Sequence, residues 1–293
     1  MIINRKMDIS NNENKISLFN IKKFHKALVI NRPSKKVKSP YLADIKLFDE
    51  NDNLIDEELM AHSPALGCCG LIAKDAIVYV TENNDVNSKR KSKYTIYNVQ
   101  ISEPEIIIGV HPMSANTIFE NILRNNVMKE FENAKNIKRE YKILNSRIDF
   151  YFELGEKKIF LEVKNVPLAD HVDLDKKSKE KNKNDLTQYN SYEKIAIFPD
   201  GYRKKSTDLI SPRAYKHLED LIEIQKTDGH QTYLIYVVQR QDVKYFSPSI
   251  LDRTYYDKVY DAIDKGVKII PVCVVWEGEN VYFNKILDFL LKK

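Results

Sequence analysis

Asp149, Glu162 and Lys164 are the residues whose types and spacing point most directly to chemistry. They fall within residues 146–168, where two strand-like runs flank a short loop at Gly155 and predict a β-hairpin. A turn centred just after Gly155 places Asp149 directly opposite Glu162, and opposed residues have Cβ atoms about 4.5–5.5 Å apart. Two carboxylates at that distance repel unless a cation lies between them, and a hard divalent ion such as Mg²⁺ prefers oxygen ligands. The pairing therefore predicts a metal site at Asp149 and Glu162.

Lys164 lies two residues beyond Glu162, so strand periodicity places both side chains on one face. Its ammonium group is suited to orient an attacking water and to offset negative charge that develops on a phosphate. A bound Mg²⁺ or Mn²⁺ ion would lower the pKa of that water and polarise a phosphodiester. The pattern D-x(12)-E-x-K thus predicts metal-assisted hydrolysis, with Glu140 upstream as a further ligand or supporting contact. A structural ion network of Asp149, Glu162 and Lys164 is the alternative interpretation.

The elements around these residues fall into two parts. From residue 111 onwards helical and strand-like patterns alternate, which indicates an α/β domain over residues 111–293. Its helices are predicted at residues 115–134, 211–227, 255–265 and 281–291, its strands at 147–152, 159–164, 231–238 and 267–276, and a lysine-rich insert at about 170–195. Short strand-like runs with polar turns predict a small β-barrel or sandwich over residues 24–110, with strands at 41–48, 76–81, 94–100 and 105–110. The polar, Asn-rich residues 1–23 are expected to form a flexible tail.

Two groups of residues are candidates for contact with nucleic acid. The first combines cations with an aromatic ring on the predicted barrel, as in barrels that bind single strands: Lys89, Arg90, Lys91, Lys93 and Tyr94. The second lies at the start of a predicted helix, whose N-terminus favours phosphate, and at the end of a predicted strand: Arg213, Lys216, His217 and Arg240. A solvated loop is the alternative for the first group, and local i,i+4 ion pairing is the alternative for the second.

The composition is that of a globular chain, with 43% hydrophobic and 30% charged residues among 293. The formal net charge of +5 permits a nucleic-acid partner without requiring one. No apolar run reaches the roughly 18 residues of a membrane span, and the N-terminus has no apolar signal-peptide core. Three cysteines, two of them adjacent, favour a reducing compartment over a disulfide framework. We therefore expect a cytoplasmic protein, or one of the host cytoplasm or the virion if a virus encodes it.

Several short segments together resemble the sugar fermentation stimulation protein family. In the C-terminal half these are SRIDF at residues 146–150, EVKN at 162–165, FPD at 198–200, RAYKHL at 213–218 and VVQR at 237–240. In the N-terminal half, His62-Ser63-Pro64 with Gly67 and the segment KRKSKY at residues 89–94 look like two further family segments. The similarity runs from about residue 28 to the C-terminus, and the combination of SRIDF, EVKN and KHL is quite specific.

The resemblance implies an N-terminal OB-fold-like β-barrel followed by a restriction-endonuclease-like, PD-(D/E)XK α/β domain, and it implies DNA binding. Carried over position by position, it implies an active-site set of Glu140, Asp149, Glu162 and Lys164. The chain departs from the family pattern at Ala65, where Asn is usual, at Pro167, where Thr is usual, and in its longer lysine-rich insert. None of these departures removes the acidic set.

These observations predict a DNA-binding protein with Mg²⁺- or Mn²⁺-dependent phosphodiesterase activity. A non-catalytic DNA-binding regulator of the same family is the first alternative, and an OB-type oligonucleotide-binding module is the second. An intact acidic set favours the enzyme, because a protein that only binds a polyanion gains little from clustered carboxylates. The choice between DNA and RNA, and between single and double strands, stays open at this stage.

Overall fold

A computed structural model of the protein describes residues 15–65, 68–83, 92–181, 189–201 and 208–290. Its strands form a six-stranded sheet from the N-terminal part of the chain, a seven-stranded sheet and a smaller four-stranded sheet. Helices pack on both faces of the seven-stranded sheet. The fold is therefore a mixed α+β fold in which sheets predominate. Within the described residues, no helix has the length and apolar character needed to cross a membrane.

The six-stranded sheet has the strand order β4-β3-β2-β5-β6-β7, and β4 also pairs with β6. Its strands are β2 (His25–Asn31), β3 (Leu42–Leu47), β4 (Leu59–His62), β5 (Ile77–Glu82), β6 (Tyr94–Ser102) and β7 (Glu105–Gly109). Because β4 pairs with both β3 and β6, the sheet curls around its own apolar core. Each of the four strands predicted in this part overlaps a strand of the structure.

The seven-stranded sheet has the order β1-β16-β15-β13-β10-β9-β8. Its strands are β1 (Ser17–Asn20), β8 (Lys135–Ile143), β9 (Ser146–Leu154), β10 (Lys157–Val166), β13 (His230–Val238), β15 (Lys268–Glu277) and β16 (Asn280–Ile286). The central strands β10, β13 and β15 run parallel, and β8, β9, β16 and β1 extend the sheet with antiparallel pairs. The predicted hairpin is thus β9 and β10, and β8 is one edge of the sheet among the described strands.

Helices cover both faces of this sheet. Helix α1 (Pro112–Arg124) buries its apolar stripe against one face. Helices α3 (Pro212–Gln225) and α4 (Arg253–Asp264) pack on the other face. Beside them lie the short helix α2 (Lys176–Lys181) and the four-stranded sheet of β11 (Ala169–Asp170), β12 (Lys194–Phe198), β14 (Val243–Pro248) and β17 (Asp288–Phe289). The Ser211 hydroxyl caps α3 by accepting from the Ala214 N–H, as the Ser-Pro signal predicted.

Three predictions about the elements are wrong. Residues 17–20 are not part of a flexible tail, because they form β1 and bury Leu18 completely. The helix predicted at 115–134 ends at Arg124, because the following segment contains asparagines in the left-handed region, at positions 126 and 133. Residues 281–286 and 288–289 lie in strands β16 and β17 instead of the helix predicted at 281–291, because a turn at Gly278, with φ +58°, folds β16 back onto β15.

Candidate active site

The register of the β9–β10 hairpin agrees with the prediction. Phe150 pairs with Leu161, so Asp149 and Glu162 are the next opposed residues. The regular ladder stops at this point, and the Asp149 carboxylate accepts a hydrogen bond of 2.8 Å from the Val163 N–H. The end of the hairpin is therefore the place where two carboxylates approach each other.

Asp149 is held from a second side by helix α1, whose Asn116 Nδ2 donates to Asp149 Oδ1 at 2.9 Å. Burial, together with the nearby charge of Glu162, raises the pKa of the Asp149 carboxyl to about 6. The two hydrogen bonds and Lys164 oppose this shift without cancelling it. In the absence of a cation, Asp149 is consequently the carboxylate that carries the electrostatic cost of the pair.

Glu162 lies deeper, with 2% of its surface exposed. Lys164 Nζ donates to Glu162 Oε1 at 2.6 Å, and the His217 ring contacts the same oxygen. Burial alone would raise the pKa of the Glu162 carboxyl, but the charges and hydrogen bonds of Lys164 and His217 outweigh it and lower that pKa to about 2. The other oxygen, Oε2, is buried and has no hydrogen-bond partner among the described residues.

Glu140 lies on β8, opposite Asp149, between the pairs that Arg139 and Tyr141 form with β9. Its φ of +52° is in the left-handed region, which a glutamate rarely adopts. The side chain lies at the rim of the site, about half exposed, with its carboxylate 3.4 Å from Arg147. Glu140, Asp149 and Glu162 thus form a row across three adjacent strands.

The carboxylates line a cavity of about 360 Å³, the size of a small-ligand site. The segment between β4 and β5 contributes Ala65, Cys68 and Cys69 to its wall, and the lining also includes Phe198 and Asp200. The described residues contain no cluster of three or more His, Cys, Asp and Glu side chains suited to a metal ion. A buried carboxylate with one unpartnered oxygen, Glu162, beside the half-buried carboxylate of Asp149 nevertheless fits Mg²⁺, which usually keeps water and substrate oxygens among its ligands.

The cations predicted on helix α3 separate into two groups. His217 reaches the centre of the site, where its Nδ1 lies 3.0 Å from Lys164 Nζ. Arg213 lines the cavity one turn earlier. Lys216 points away and forms an ion pair of 2.8 Å with Asp220, with 59% of its side chain exposed. The alternative of local i,i+4 pairing therefore describes Lys216 but not His217.

Arg240 and Tyr94 are not available to a ligand. The guanidinium of Arg240 is buried and donates to Asp242 at 2.6 and 2.7 Å and to the Pro167 carbonyl. Tyr94 is 5% exposed and belongs to the core of the six-stranded sheet. Lys93 is exposed and pairs with Glu82 at 3.4 Å, whereas Lys89, Arg90, Lys91 and Gly67 lie outside the described residues.

The sequence interpretation missed two residues that support the site. Asn116, the partner of Asp149, lies three residues before Phe119 and so shares the buried face of α1, a signal that was present in the pattern. Gln239 is fully buried and joins Ser114 Oγ, Asn165 Oδ1 and Trp276 Nε1 in one hydrogen-bond network. Its role depends on three distant segments, which the sequence pattern did not connect.

Comparison with known proteins identifies the family of this chain. The family model described as "Sugar fermentation stimulation protein RE domain" matches residues 113–175 and 185–280. A sugar fermentation stimulation protein homolog of Pelagibacter ubique is 32% identical over 270 residues, which is 91% of this chain and 98% of the relative. The chain belongs to the sugar fermentation stimulation protein family. Another homolog, from Clostridium beijerinckii, is 28% identical over 76% of this chain and 83% of its own length.

A solved structure shares the fold. It is that of Pyrococcus furiosus SfsA in complex with Ca²⁺, with a TM-score of 0.70, 17% sequence identity, and coverage of 94% of this chain and 100% of that one. The family resemblance drawn from SRIDF, EVKN and KHL is thus confirmed, and all three segments lie within the matched residues.

Proposed function

We propose that this protein hydrolyses phosphodiester bonds of DNA with the help of a divalent metal ion. The observation that carries the proposal is the row of Glu140, Asp149 and Glu162 beside Lys164 in one cavity, with a buried Glu162 oxygen left without a partner among the described residues. A buried carboxylate oxygen without a hydrogen bond is costly unless a ligand satisfies it. That a family relative was solved with Ca²⁺ supports a divalent ion of the Mg²⁺ or Mn²⁺ kind.

Each residue has a distinct role in this proposal. Asp149 and Glu162 would hold the metal, and Glu140 would add a ligand or a contact from the rim. A bound divalent ion supplies Lewis-acid polarisation of the phosphate and a water of lowered pKa. Lys164 would orient the attacking water and stabilise the charge that develops on the phosphate, while His217 fixes Glu162 and Lys164 relative to each other.

The proposal also covers the folds of the two domains, the cellular location and the partner. Residues 24–110 would form an OB-fold-like barrel, and residues 111–293 a PD-(D/E)XK domain with the active site at the β9–β10 hairpin. The curled six-stranded sheet, in which β4 closes onto β6, supports the first part. The parallel centre flanked by the β9–β10 hairpin supports the second. The expected setting is the cytoplasm, and the expected partner is DNA.

A non-catalytic DNA-binding role is the second candidate. One observation favours it: Lys164 and His217 already compensate the Glu162 charge without a metal. In that case the ion network of Glu162, Lys164 and His217 would be structural. Arg213 at the cavity would then contact a phosphate without any hydrolysis.

Hydrolysis of labelled single- and double-stranded DNA, with Mg²⁺ or Mn²⁺ and with EDTA, tests the two candidates. We expect metal-dependent cleavage by the wild type, loss of cleavage in Lys164→Ala and Asp149→Asn, and retained DNA binding in both variants. Lys216→Ala is the matched control, because this lysine is exposed and paired with Asp220 outside the cavity. Binding without cleavage in every metal would establish the non-catalytic candidate instead.

A further inference from the structure

Strand β8, an edge of the seven-stranded sheet among the described strands, is basic and exposed. Lys135, Lys138, Arg139 and Lys142 are all exposed on this strand, and Arg147 follows on β9. At about 3.3 Å per residue, a regular strand would span roughly 23 Å from Lys135 to Lys142, and the bulge between Lys135 and Lys138 shortens this distance. The strand carries Glu140, so this cationic surface, which we call the β8 surface, ends beside the carboxylate site.

Acidic neighbours compensate only part of this charge. Glu120 pairs with Arg124 and Arg139, at 2.7 and 3.2 Å, and Glu140 lies 3.4 Å from Arg147. Glu153, opposite Lys135, receives hydrogen bonds from Asn136 and Tyr151 and also lies near Lys138. Lys135, Lys138 and Lys142 form no ion pair within 4.0 Å to any residue that the structure describes. The five cations of the β8 surface, together with Arg124 of helix α1, therefore face three carboxylates.

A recess lies beside the start of β8. It has a volume of about 410 Å³, and its lining includes Arg124, Asn126, Asn133 and Lys135. Two cations and two amides provide hydrogen-bond donors suited to phosphate and sugar oxygens. A stacked pair of rings, Tyr141 on Tyr151 with centroids 4.5 Å apart, follows along the strand with Lys138 above it. The recess, the lysines and the carboxylates thus follow one another along β8.

We propose that the β8 surface binds the phosphate backbone of the nucleic-acid substrate and guides it to the carboxylate site. This inference rests on the proposed function, and it adds a binding surface outside the cavity. The occupant follows from charge: a polyanion that reaches Asp149 and Glu162 must be held by cations nearby, because the carboxylates themselves repel it. The three lysines of β8, all exposed along one edge strand, satisfy this requirement and add counterion release to the binding free energy.

Lysines on an edge strand have another common purpose, which is to prevent edge-to-edge association of sheets. Lysines anywhere along the edge would prevent such association. If this were their only role, replacing them would not change the salt dependence of DNA binding. The two explanations are therefore separated by a binding measurement.

The experiment measures the affinity of Lys164→Ala protein, in Mg²⁺, for a fluorescein-labelled oligothymidylate at several KCl concentrations. This parent keeps the metal ligands and is expected to bind without cleavage. The test variant adds Lys135→Gln, Lys138→Gln and Lys142→Gln to it. A charge-conserving variant replaces the same lysines by Arg. A matched control carries Lys15→Gln and Lys22→Gln, on either side of β1, and Lys285→Gln on β16, the two strands at the opposite side of the same sheet. Circular dichroism melting verifies that each variant is folded.

We expect the Gln variant to reduce the magnitude of the slope of log K against log[salt] by about 2, since each lost phosphate contact removes roughly 0.7–0.9. The Arg variant and the opposite-edge control should keep the slope of the parent. An unchanged slope in a folded Gln variant, while the parent binds the oligonucleotide, would overturn the β8 surface and leave the proposed function standing. A parent that binds neither the oligothymidylate nor a labelled duplex would overturn both.

Discussion

Asp149 makes the metal-free site dependent on pH. Burial and the Glu162 charge raise its pKa to about 6, above its ordinary value of 3.8. The native state therefore holds a proton on Asp149 that the unfolded chain loses, and the free energy of unfolding falls as the pH rises from about 4 through 6. Glu162, with its pKa lowered to about 2, contributes in the opposite sense and only in acid, where stability is lost as the pH falls below about 4.5.

We predict that Asp149→Asn stabilises the metal-free protein at neutral pH. The expected gain is on the order of 1–2 kcal/mol near pH 7.5, because an ionised carboxylate is removed from beside Glu162, and it should nearly vanish near pH 4. Urea unfolding in EDTA at the two pH values measures the difference. Saturating Mg²⁺ should abolish the advantage, since the wild type binds the ion and the variant does not. Equal stability of both proteins at neutral pH would contradict the conclusion that the ionised Asp149 carboxylate destabilises the metal-free protein.

His217 is predicted to act as a positioning residue. It contacts Glu162 and lies 3.0 Å from Lys164, so its removal should let both groups move. We expect His217→Ala to reduce cleavage by about 10–100-fold, the usual effect of losing a group that orients metal ligands. Oligonucleotide affinity should stay near that of the wild type. Lys216→Ala, one residue away on the same helix, should leave both quantities unchanged; an equal loss of activity in both variants would indicate damage to helix α3 instead.

At the level of elements, the end of β7 is tied to the seven-stranded sheet at one crowded point. A Cβ atom on Gly109 would lie 2.0 Å from Gln239 Oε1 and 2.7 Å from Trp276 Nε1. Gln239 is fully buried, and its amide also binds Ser114 and Asn165, so it has no room to yield. Only glycine fits this approach of β7 to β13.

We therefore predict that Gly109→Ala destabilises the protein by about 1–3 kcal/mol, the usual cost of overpacking a core. Because Asn165 lies one residue after Lys164, the variant should also lower cleavage activity. Thermal unfolding and the cleavage assay measure the two effects. Gly155→Ala is the control with free space around its Cβ, and its φ of +61° should cause a smaller loss, without an effect on the site. A wild-type melting temperature in Gly109→Ala would refute the argument.

Residue types and spacing predict only the part of the site that comes from neighbouring segments of the chain. The β9–β10 hairpin follows from one turn and a strand period of two, so the opposition of Asp149 and Glu162, with Lys164 on the same face, could be predicted correctly. His217 belongs to the site because α3 packs against β10, and Arg240 is buried because Asp242 and the Pro167 carbonyl surround it. Such contacts join segments far apart in the chain, and residue type and periodicity do not encode them. The prediction for β16 failed for a similar reason, since only its pairing with β15 distinguishes it from an amphipathic helix.

At the scale of the whole molecule, the cavity lies where the two larger sheets meet. Phe24, just before β2, packs on Trp276 of the seven-stranded sheet with ring centroids 6.4 Å apart. Tyr97 of the curled sheet stacks at 4.4 Å on His111, the residue that precedes helix α1. Ala65 and Cys69 from the same side line the cavity. Because residues from both sides of this junction line the cavity, the cavity keeps its shape only while the six-stranded and seven-stranded sheets stay packed together.

Trp276, the single tryptophan of the sequence, lies at this junction and reports on it. Because the junction buries Trp276 and carries the Gln239 network, we expect both sheets to unfold together. Tryptophan fluorescence and far-ultraviolet circular dichroism should then give coincident urea transitions, the mark of two-state unfolding. Phe24→Ala removes one face of the Trp276 packing and should move both transitions equally to lower urea. If fluorescence changed before circular dichroism in the wild type, the two sheets would separate first, and the cavity would be open under conditions in which each sheet is still folded.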